Sequence, residues 1–176
     1  AMRWAKAGHT VIIGSREAEK AQRVAAEINA KLGAPLVTGA ANSDAALTCD
    51  VAALTVPYAA QNALLETLKD ALQGKTLINV NVALKPPKVA QVYIPPEGSA
   101  CEQAQALLGP GVDVVAAFQN VGAHALETPE QPIDCDVLIC GDKKAAKAIA
   151  IQLAEDIGTR GIDAGPLVNA KVVEGL

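Results

Sequence analysis

The sequence predicts a doubly wound α/β fold, in which a mostly parallel sheet carries helices on both faces. Short β-branched runs alternate with longer alanine-rich stretches of helical periodicity along the whole chain. In addition, 35 of the 176 residues are alanine and only 2% are aromatic, which suits an aliphatic core where helices approach a sheet closely. A chain of this length can bury such a core without disulfides or metal ions.

Seven strands are predicted where apolar runs are bounded by glycine, proline or polar residues. They cover residues 10–13, 36–38, 50–56, 76–82, 113–118, 135–140 and 161–164. Pro57 ends the third strand, because proline cannot donate a hydrogen bond to a strand ladder. A proline-rich loop is predicted after the fourth strand, between residues 85 and 97.

Helices are predicted where apolar residues recur at intervals of three and four. They cover residues 16–32, 59–71, 99–108, 143–157 and 165–176. A shorter helical turn is predicted after Asn42 or Ser43, because either side chain suits an N-cap. Gly33 terminates the first long helix. Residues 1–7 have the pattern of the last turns of a helix that ends at Gly8, so the chain as given is expected to begin inside a crossover helix.

Composition argues against several classes of function. The net charge is −4 and only four side chains are aromatic, so the basic surface and stacking platforms of nucleic-acid-binding proteins are not expected. No apolar run approaches the roughly 18 residues of a membrane span, and no signal peptide is recognisable, which predicts a cytoplasmic protein. The cysteines and histidines are too scattered to predict a metal site or a catalytic triad. They are Cys49, Cys101, Cys135, Cys140, His9 and His124.

The residues after the first predicted strand suggest a phosphate-binding site. Ligands of doubly wound sheets bind at the carboxyl ends of the strands, where Ser15 and Arg16 stand, with Lys20 one helical turn further. In dinucleotide-binding folds an acidic residue there selects NAD, whereas arginine and a hydroxyl group suit the 2′-phosphate of NADP. The alternative is an ordinary N-cap by Ser15 beside two solvated cations. A G-x-G-x-x-G motif, expected before this strand, is absent from the chain as given.

Two adjacent amides, Gln119 and Asn120, follow the fifth predicted strand. Buried amides need hydrogen-bond partners, and either a ligand or the backbone of a loop could supply them. No other strand end carries an arrangement of catalytic side chains.

Five stretches of the chain resemble a known family, the NADPH-dependent reductases of coenzyme F420, also called F420H2:NADP oxidoreductases. They are residues 8–16 with Lys20, 54–57, 115–121, 136–142 and 163–167. Their order along nearly the whole chain makes the resemblance more specific than any one stretch. The chain departs from the family by lacking the first strand with its glycine motif and the C-terminal helices.

The resemblance implies a Rossmann-like fold, N-terminally incomplete, and hydride transfer between C4 of the nicotinamide of NADP and C5 of the deazaflavin of coenzyme F420. Carried over by position, Ser15, Arg16 and Lys20 hold the 2′-phosphate, and Thr55 and Pro57 shape the loop beneath the pyrophosphate and ribose. The space where the two rings stack is lined by Val82, Gln119, Val121 and Ala123, with Asn120 beside it, and closed by Gly165, Pro166 and Leu167.

The family's chemistry needs few reactive side chains, because two bound cofactors supply the reactivity and the protein holds the reacting carbons together. We therefore expect no catalytic residue. Simple packing at strand ends is the alternative for Val82, Val121 and Ala123. Other hypotheses are a related NADPH-dependent reductase of a flavin, a metal ion or a small carbonyl compound, and a non-catalytic NADP-binding or sensor domain or an inactive fragment.

The family resemblance also implies how the chain is organised. Residues 1–140 are expected to form the NADP-binding region, and residues 141–176 to begin a smaller substrate-side region. A homodimer is a further expectation, because the family forms dimers.

Overall fold

In the computed structural model, which describes residues 1–84 and 93–176, the strands form two sheets. Strands β1 (Val11–Ser15) and β2 (Val37–Ala41) form a parallel pair. The larger sheet has the order β3-β4-β5-β6-β7, and only its β5–β6 pair is antiparallel. Its strands are β3 (Val51–Leu54), β4 (Thr76–Asn79), β5 (Asp113–Ala116), β6 (Asp136–Gly141) and β7 (Arg160–Asp163). Parallel pairing therefore dominates, as the predicted fold class requires.

Helices connect and cover these strands. They are α1 (Met2–Lys6), α2 (Ala18–Leu32), α3 (Asn42–Thr48), α4 (Tyr58–Leu68), α5 (Ala100–Leu108), α6 (Ala123–Glu127), α7 (Lys144–Glu155) and α8 (Ala170–Val173), the last preceded by a 3₁₀ turn at Leu167–Asn169. Sequence analysis missed α6, because five residues are too short to show a periodicity. In the described ranges, no helix combines the length and apolar character that crossing a membrane requires.

The first four long helices end within three residues of their predicted ends, and one cap is wrong. The helix predicted over residues 165–176 is instead a 3₁₀ turn followed by the short helix α8. Gly33 ends α2 with φ of +70°, a left-handed conformation that glycine adopts without strain. Neither Asn42 nor Ser43 caps α3: β2 runs to Ala41, so Asn42 is already the first helical residue and Ala41 occupies the cap position. Most of the predicted proline-rich loop, residues 85–92, lies outside the described residues.

The core of the larger sheet has two layers, because successive strand residues point to opposite faces. Leu77 and Val114 pack with α4, α5 and α8 on one face. Ile78 and Val115 pack on the other face, where α7 contributes Ala146, Ala150 and Ala154. Helix α2 covers β1 and β2, and α3 packs against those strands as well as against α4. Helices therefore cover both faces of the larger sheet, with β1 and β2 alongside under their own helix.

Small residues allow the helices to lie close to the strands. A Cβ atom added to Gly39 of β2 would lie 2.3 Å from backbone atoms of Ala21 and Gln22 in α2. Ala21 itself is completely buried. This close approach is the geometry that the alanine-rich composition predicted.

Candidate functional site

Strands β3, β4 and β5 end side by side, because Leu54 is in register with Asn79 and Asn79 with Ala116. The segments that follow these strands therefore emerge at one edge of the sheet. This is the carboxyl edge, where ligands of doubly wound folds bind.

A pocket of about 270 Å³ opens at this edge. It lies close to the lower end of the roughly 300–1,000 Å³ typical of small-molecule sites, which is enough for a ring system. Two predicted site residues, Val82 and Gln119, line it, together with residues before α5 and the end of the chain. The other lining residues are Ala83, Leu84, Tyr93, Ile94, Gly98, Ser99, Lys171, Val173, Glu174, Gly175 and Leu176.

The position of Gln119 depends on a residue with a strained backbone conformation. Phe118, directly before it, has φ of +70°, which no other non-glycine residue shows within residues 1–84 and 93–176. Such a conformation costs on the order of 1–3 kcal/mol and persists only where the surroundings impose it. The Phe118 ring is buried and meets Trp4 edge to face, with 5.7 Å between the ring centroids. This packing fixes the turn that brings Gln119 to the pocket.

A network of buried amides supports the same edge. The Gln61 Oε1 atom of α4 accepts hydrogen bonds from Asn79 Nδ2 at 3.0 Å and Asn81 Nδ2 at 2.8 Å. Gln61 Nε2 donates to the carbonyl of Ala100 at 2.8 Å, which joins the network to the first turn of α5. Gln61 and Asn79 are fully buried, so these bonds hold α4, β4 and α5 in one arrangement.

The network also fixes the orientation of the Gln119 amide. Gln119 Nε2 donates to the carbonyl of Asn79 at 2.9 Å, so its oxygen points elsewhere. This Oε1 atom is buried and has no hydrogen-bond partner in the described part of the chain. Because a buried acceptor without a donor is costly, a ligand with an N–H group would remove a penalty of about 1–3 kcal/mol.

A buried carboxylate, which sequence analysis did not single out, closes the other side of the pocket. Glu174 follows α8 and is 9% exposed. Its Oε2 atom accepts a hydrogen bond from the backbone N–H of Ala100 at 2.9 Å, and its Oε1 atom accepts from Cys101 at 3.0 Å. Burial raises the pKa of the Glu174 carboxyl group, although the two backbone N–H groups act in the opposite direction. No local pattern distinguishes this glutamate, because its partners lie over 70 residues away in sequence.

The Cys101 thiol sits beside the Glu174 carboxylate and Gln119. Gln119 Nε2 lies 3.7 Å from Cys101 Sγ. Burial, followed by the Glu174 charge, raises the pKa of this thiol well above its usual value. The thiol therefore stays protonated and is a packing group rather than a nucleophile.

The predicted phosphate site has a different character. Ser15 is the last residue of β1, and its Oγ accepts the backbone N–H of Glu17 at 3.3 Å, in the turn before α2. Arg16 and Lys20 are exposed, and neither has an ion-pair partner among the residues that the structure covers. Helix α2 begins at Ala18 rather than at the predicted residue 16, so Ser15 is not its N-cap. An open pair of cations beside a hydroxyl group fits a phosphate.

Thr55 and Pro57 stand between β3 and α4, and both are exposed. Pro57 occupies the N-cap position of α4. Asn120 is exposed, and its Nδ2 atom donates to the carbonyl of Asp136 at 2.8 Å. Of the two adjacent amides, Asn120 thus binds the backbone of β6 at its first residue, whereas Gln119 lines the pocket.

The remaining predicted ring-site residues do not line this pocket. Val121 packs against the layer that contains α7, and Ala123 is the exposed first residue of α6. Gly165, with φ of +98°, accepts the N–H of Gly141 at 3.1 Å, and Pro166 precedes the 3₁₀ turn. Gly165 and Pro166 therefore connect β6 and β7 to the segment that carries Glu174.

Comparison with known proteins gives a consistent result. A family model described as "NADP oxidoreductase coenzyme F420-dependent" matches residues 1–83. The chain is 42% identical to the F420-dependent NADP reductase of Methanothermobacter thermautotrophicus, over 99% of this chain and 78% of that protein. It is 38% identical to the enzyme of the same name from Methanocaldococcus jannaschii, over 100% of this chain and 82% of that protein.

A solved structure titled as a putative F420-dependent NADP reductase from Arthrobacter sp. FB24 has the same fold. It superposes with a TM-score of 0.81 at 27% identity, covering 99% of this chain and 82% of that one. Since identities of 38–42% extend over essentially the whole chain, the chain belongs to the F420-dependent NADP reductase family.

Proposed function

We propose that this protein is an oxidoreductase that transfers a hydride reversibly between NADP(H) and coenzyme F420. When bound, the two cofactors supply the chemistry: a hydride leaves C4 of NADPH for C5 of F420, which also takes up a proton. The side chains hold the two rings together and keep water away. Family membership supports this proposal, and the observation that carries it is Gln119 Oε1, which is buried beside a ring-sized pocket and has no partner within residues 1–84 and 93–176.

The NADP end of the site is proposed at Ser15, Arg16 and Lys20. Their hydroxyl, guanidinium and ammonium groups can all donate hydrogen bonds to a 2′-phosphate, and two positive charges offset its negative charge. Thr55 and Pro57 are proposed to lie beneath the pyrophosphate and the nicotinamide ribose. No acidic side chain stands between Gly14 and Arg16 to prefer the free 2′-hydroxyl of NAD.

The ring end is proposed at the pocket that Val82 and Gln119 line. The pocket surface is mainly aliphatic, so it can hold a planar ring out of water, and Gln119 Oε1 can accept one ring or amide N–H. Val121, Ala123, Gly165 and Pro166 remain proposed contacts of the cofactors, as does Asn120. The proposal assigns no acid, base or nucleophile to the chain.

The test is an assay of the full-length protein under anaerobic conditions, with NADPH as hydride donor and F420 or FMN as acceptor. We expect NADPH oxidation with F420 at a kcat/KM at least tenfold above that with FMN. NADH in place of NADPH should be a poor donor. Tight NADPH binding without oxidation by either acceptor would contradict the proposal and favour a sensor domain.

We also propose an oligomeric state, a location and a domain organisation for the protein. We infer a homodimer in the cytoplasm, with residues 1–140 as the NADP-binding region and residues 141–176 as the start of the substrate-side region. Sedimentation equilibrium of the full-length protein distinguishes monomer from dimer.

A further inference from the structure

We infer that Glu174 is a positioning residue for the acceptor side of the site, which it controls by holding the first turn of α5 against Gln119. The inference rests on the proposed function and adds a residue that the resemblance did not assign. Glu174 is placed to act through backbone N–H groups and the Cys101 side chain, not on the reacting atoms.

The first backbone N–H groups of α5 all have acceptors outside the helix. A helix begins with N–H groups that have no partner within the helix. Here Ser99 Oγ accepts from Glu102 at 3.0 Å, and the Glu174 carboxylate accepts from Ala100 and Cys101 with one oxygen each. Both oxygens are used, so a neutral amide in place of the carboxylate would set an NH₂ group against a backbone N–H.

The Glu174 cap lies close to Gln119 through Cys101. Cys101, whose N–H Glu174 binds, places its Sγ atom 3.7 Å from Gln119 Nε2 and 3.7 Å from the carbonyl of Asn79. Asn79 in turn holds Gln119 Nε2. A shift of the first turn of α5 would therefore move the groups that set the direction of Gln119 Oε1.

The Glu174 cap also acts electrostatically. The carboxylate lies at the positive end of the α5 dipole, which stabilises a charge that burial otherwise opposes. Glu174 thus occupies the position that an anionic group of a ligand could otherwise use. Ser99 and Glu174 are thereby fixed as part of the pocket wall, beside Gln119, whose Oε1 atom is buried without a partner in the described residues.

The experiment compares three forms of the full-length protein: wild type, Glu174→Gln and the control Glu155→Gln. Glu155 is the exposed last residue of α7 and carries the same substitution far from the pocket. KM and kcat are measured separately for NADPH and F420, and urea unfolding reports the folded fraction. We expect Glu174→Gln to raise the KM for F420 five- to tenfold and to leave the KM for NADPH within twofold, with Glu155→Gln equal to wild type.

A double-mutant cycle separates positioning from general support. If Glu174 acts through Gln119, the double variant Glu174→Gln/Gln119→Leu should have nearly the same KM for F420 as Gln119→Leu alone. The reason is that Gln119→Leu already removes the group through which Glu174 affects F420 binding. Fully multiplicative effects, or equal losses for both cofactors, would overturn the inference. If Glu174→Gln does not fold, Glu174→Asp replaces it, because aspartate keeps the negative charge on a shorter side chain. Glu174→Asp should show the same selective rise in the KM for F420. A Glu174→Asp variant with wild-type constants would also overturn the inference.

These outcomes are distinguishable from failure of the proposed function. If wild type and Glu155→Gln do not oxidise NADPH with F420, both the function and this inference fail. If both are active and Glu174→Gln matches them in every kinetic constant, only the positioning role is overturned.

Discussion

The two ends of the proposed site differ in how the protein prepares them for a ligand. At the end of β1, Arg16 and Lys20 are exposed and have no ion-pair partner among the described residues. At the ends of β4 and β5, Asn79 is fully buried, and its side chain and carbonyl bind Gln61 and Gln119. The first end presents two solvent-exposed cations, and the second end presents a pocket wall that hydrogen bonds hold in place.

This difference teaches that the two cofactors would be recognised by different physical means. A phosphate carries its own charge and can be bound by flexible cations that adjust to it. A planar ring has few hydrogen-bonding groups, so it is selected by a pocket whose polar atoms are already fixed. Substitutions at the first end should change cofactor affinity without affecting stability, whereas those at the second should affect both.

The largest effect is expected from Arg16→Asp, which places a carboxylate where the 2′-phosphate is proposed to bind. NADPH affinity should fall about 100-fold, or about 2.7 kcal/mol, because a charge-assisted hydrogen bond is replaced by repulsion. NADH affinity should stay within about threefold. Titration of both dinucleotides by fluorescence checks this, with Lys31→Asp at the far end of α2 as the matched control. Equal loss for NADPH and NADH would mean that Arg16 is only a solvated cation.

An effect of comparable size, this time on stability, is expected from Gln61→Leu. The substitution leaves the Nδ2 groups of Asn79 and Asn81 without the acceptor they share, and it should cost about 2–4 kcal/mol of the free energy of unfolding. Urea denaturation measures this. The neighbouring Asn62, whose Oδ1 atom is buried without a partner in the described ranges, provides the control Asn62→Leu, expected within about 1 kcal/mol of wild type. Similar losses in both variants would show that the amide network has no special role.

The smallest effect concerns the pH dependence of Asp163, at the end of β7. Its pKa is lowered by the hydrogen bond from Lys147, at 2.6 Å, and by the N–H of Gly165. A lowered folded-state pKa adds stability above the unfolded pKa of about 3.9, and that contribution is lost as the pH falls through the folded value. The difference in unfolding free energy between wild type and Asp163→Asn should be small at pH 7 and vanish on acidification. A difference that grows towards low pH would contradict the assignment, and Asp134→Asn is the control.

The alternation of strands and helices could be predicted from local pattern, because apolar periodicity is a property of neighbouring residues. The antiparallel pairing of β5 with β6 and the order of the strands in the larger sheet could not be predicted in this way. They depend on which distant strands pair, and the periodicity of a single strand does not specify its partner. The missed helix α6 and the wrong cap at Asn42 come from elements too short for a pattern.

The candidate site likewise contains residues that the local sequence indicates and residues that it does not. Ser15, Arg16 and Lys20 could be proposed from the sequence because the three side chains lie within six residues, and Gln119 because two amides follow an apolar strand. The Glu174 cap and the role of Gln61 could not be found, since each depends on contacts between elements far apart in sequence. The sequence also does not tell which of Gln119 and Asn120 faces the pocket, because that choice depends on the left-handed turn at Phe118.

The most direct test of this account measures the KM for NADPH and the KM for F420 in two variants of the full-length protein, Arg16→Asp and Gln119→Leu. Each variant is expected to raise the KM for one cofactor and not for the other. Arg16→Asp should raise the KM for NADPH at least about tenfold and leave the KM for F420 within about twofold, and Gln119→Leu should do the reverse. If either variant raises both constants equally, the two ends of the site do not have separate roles, and the account is contradicted.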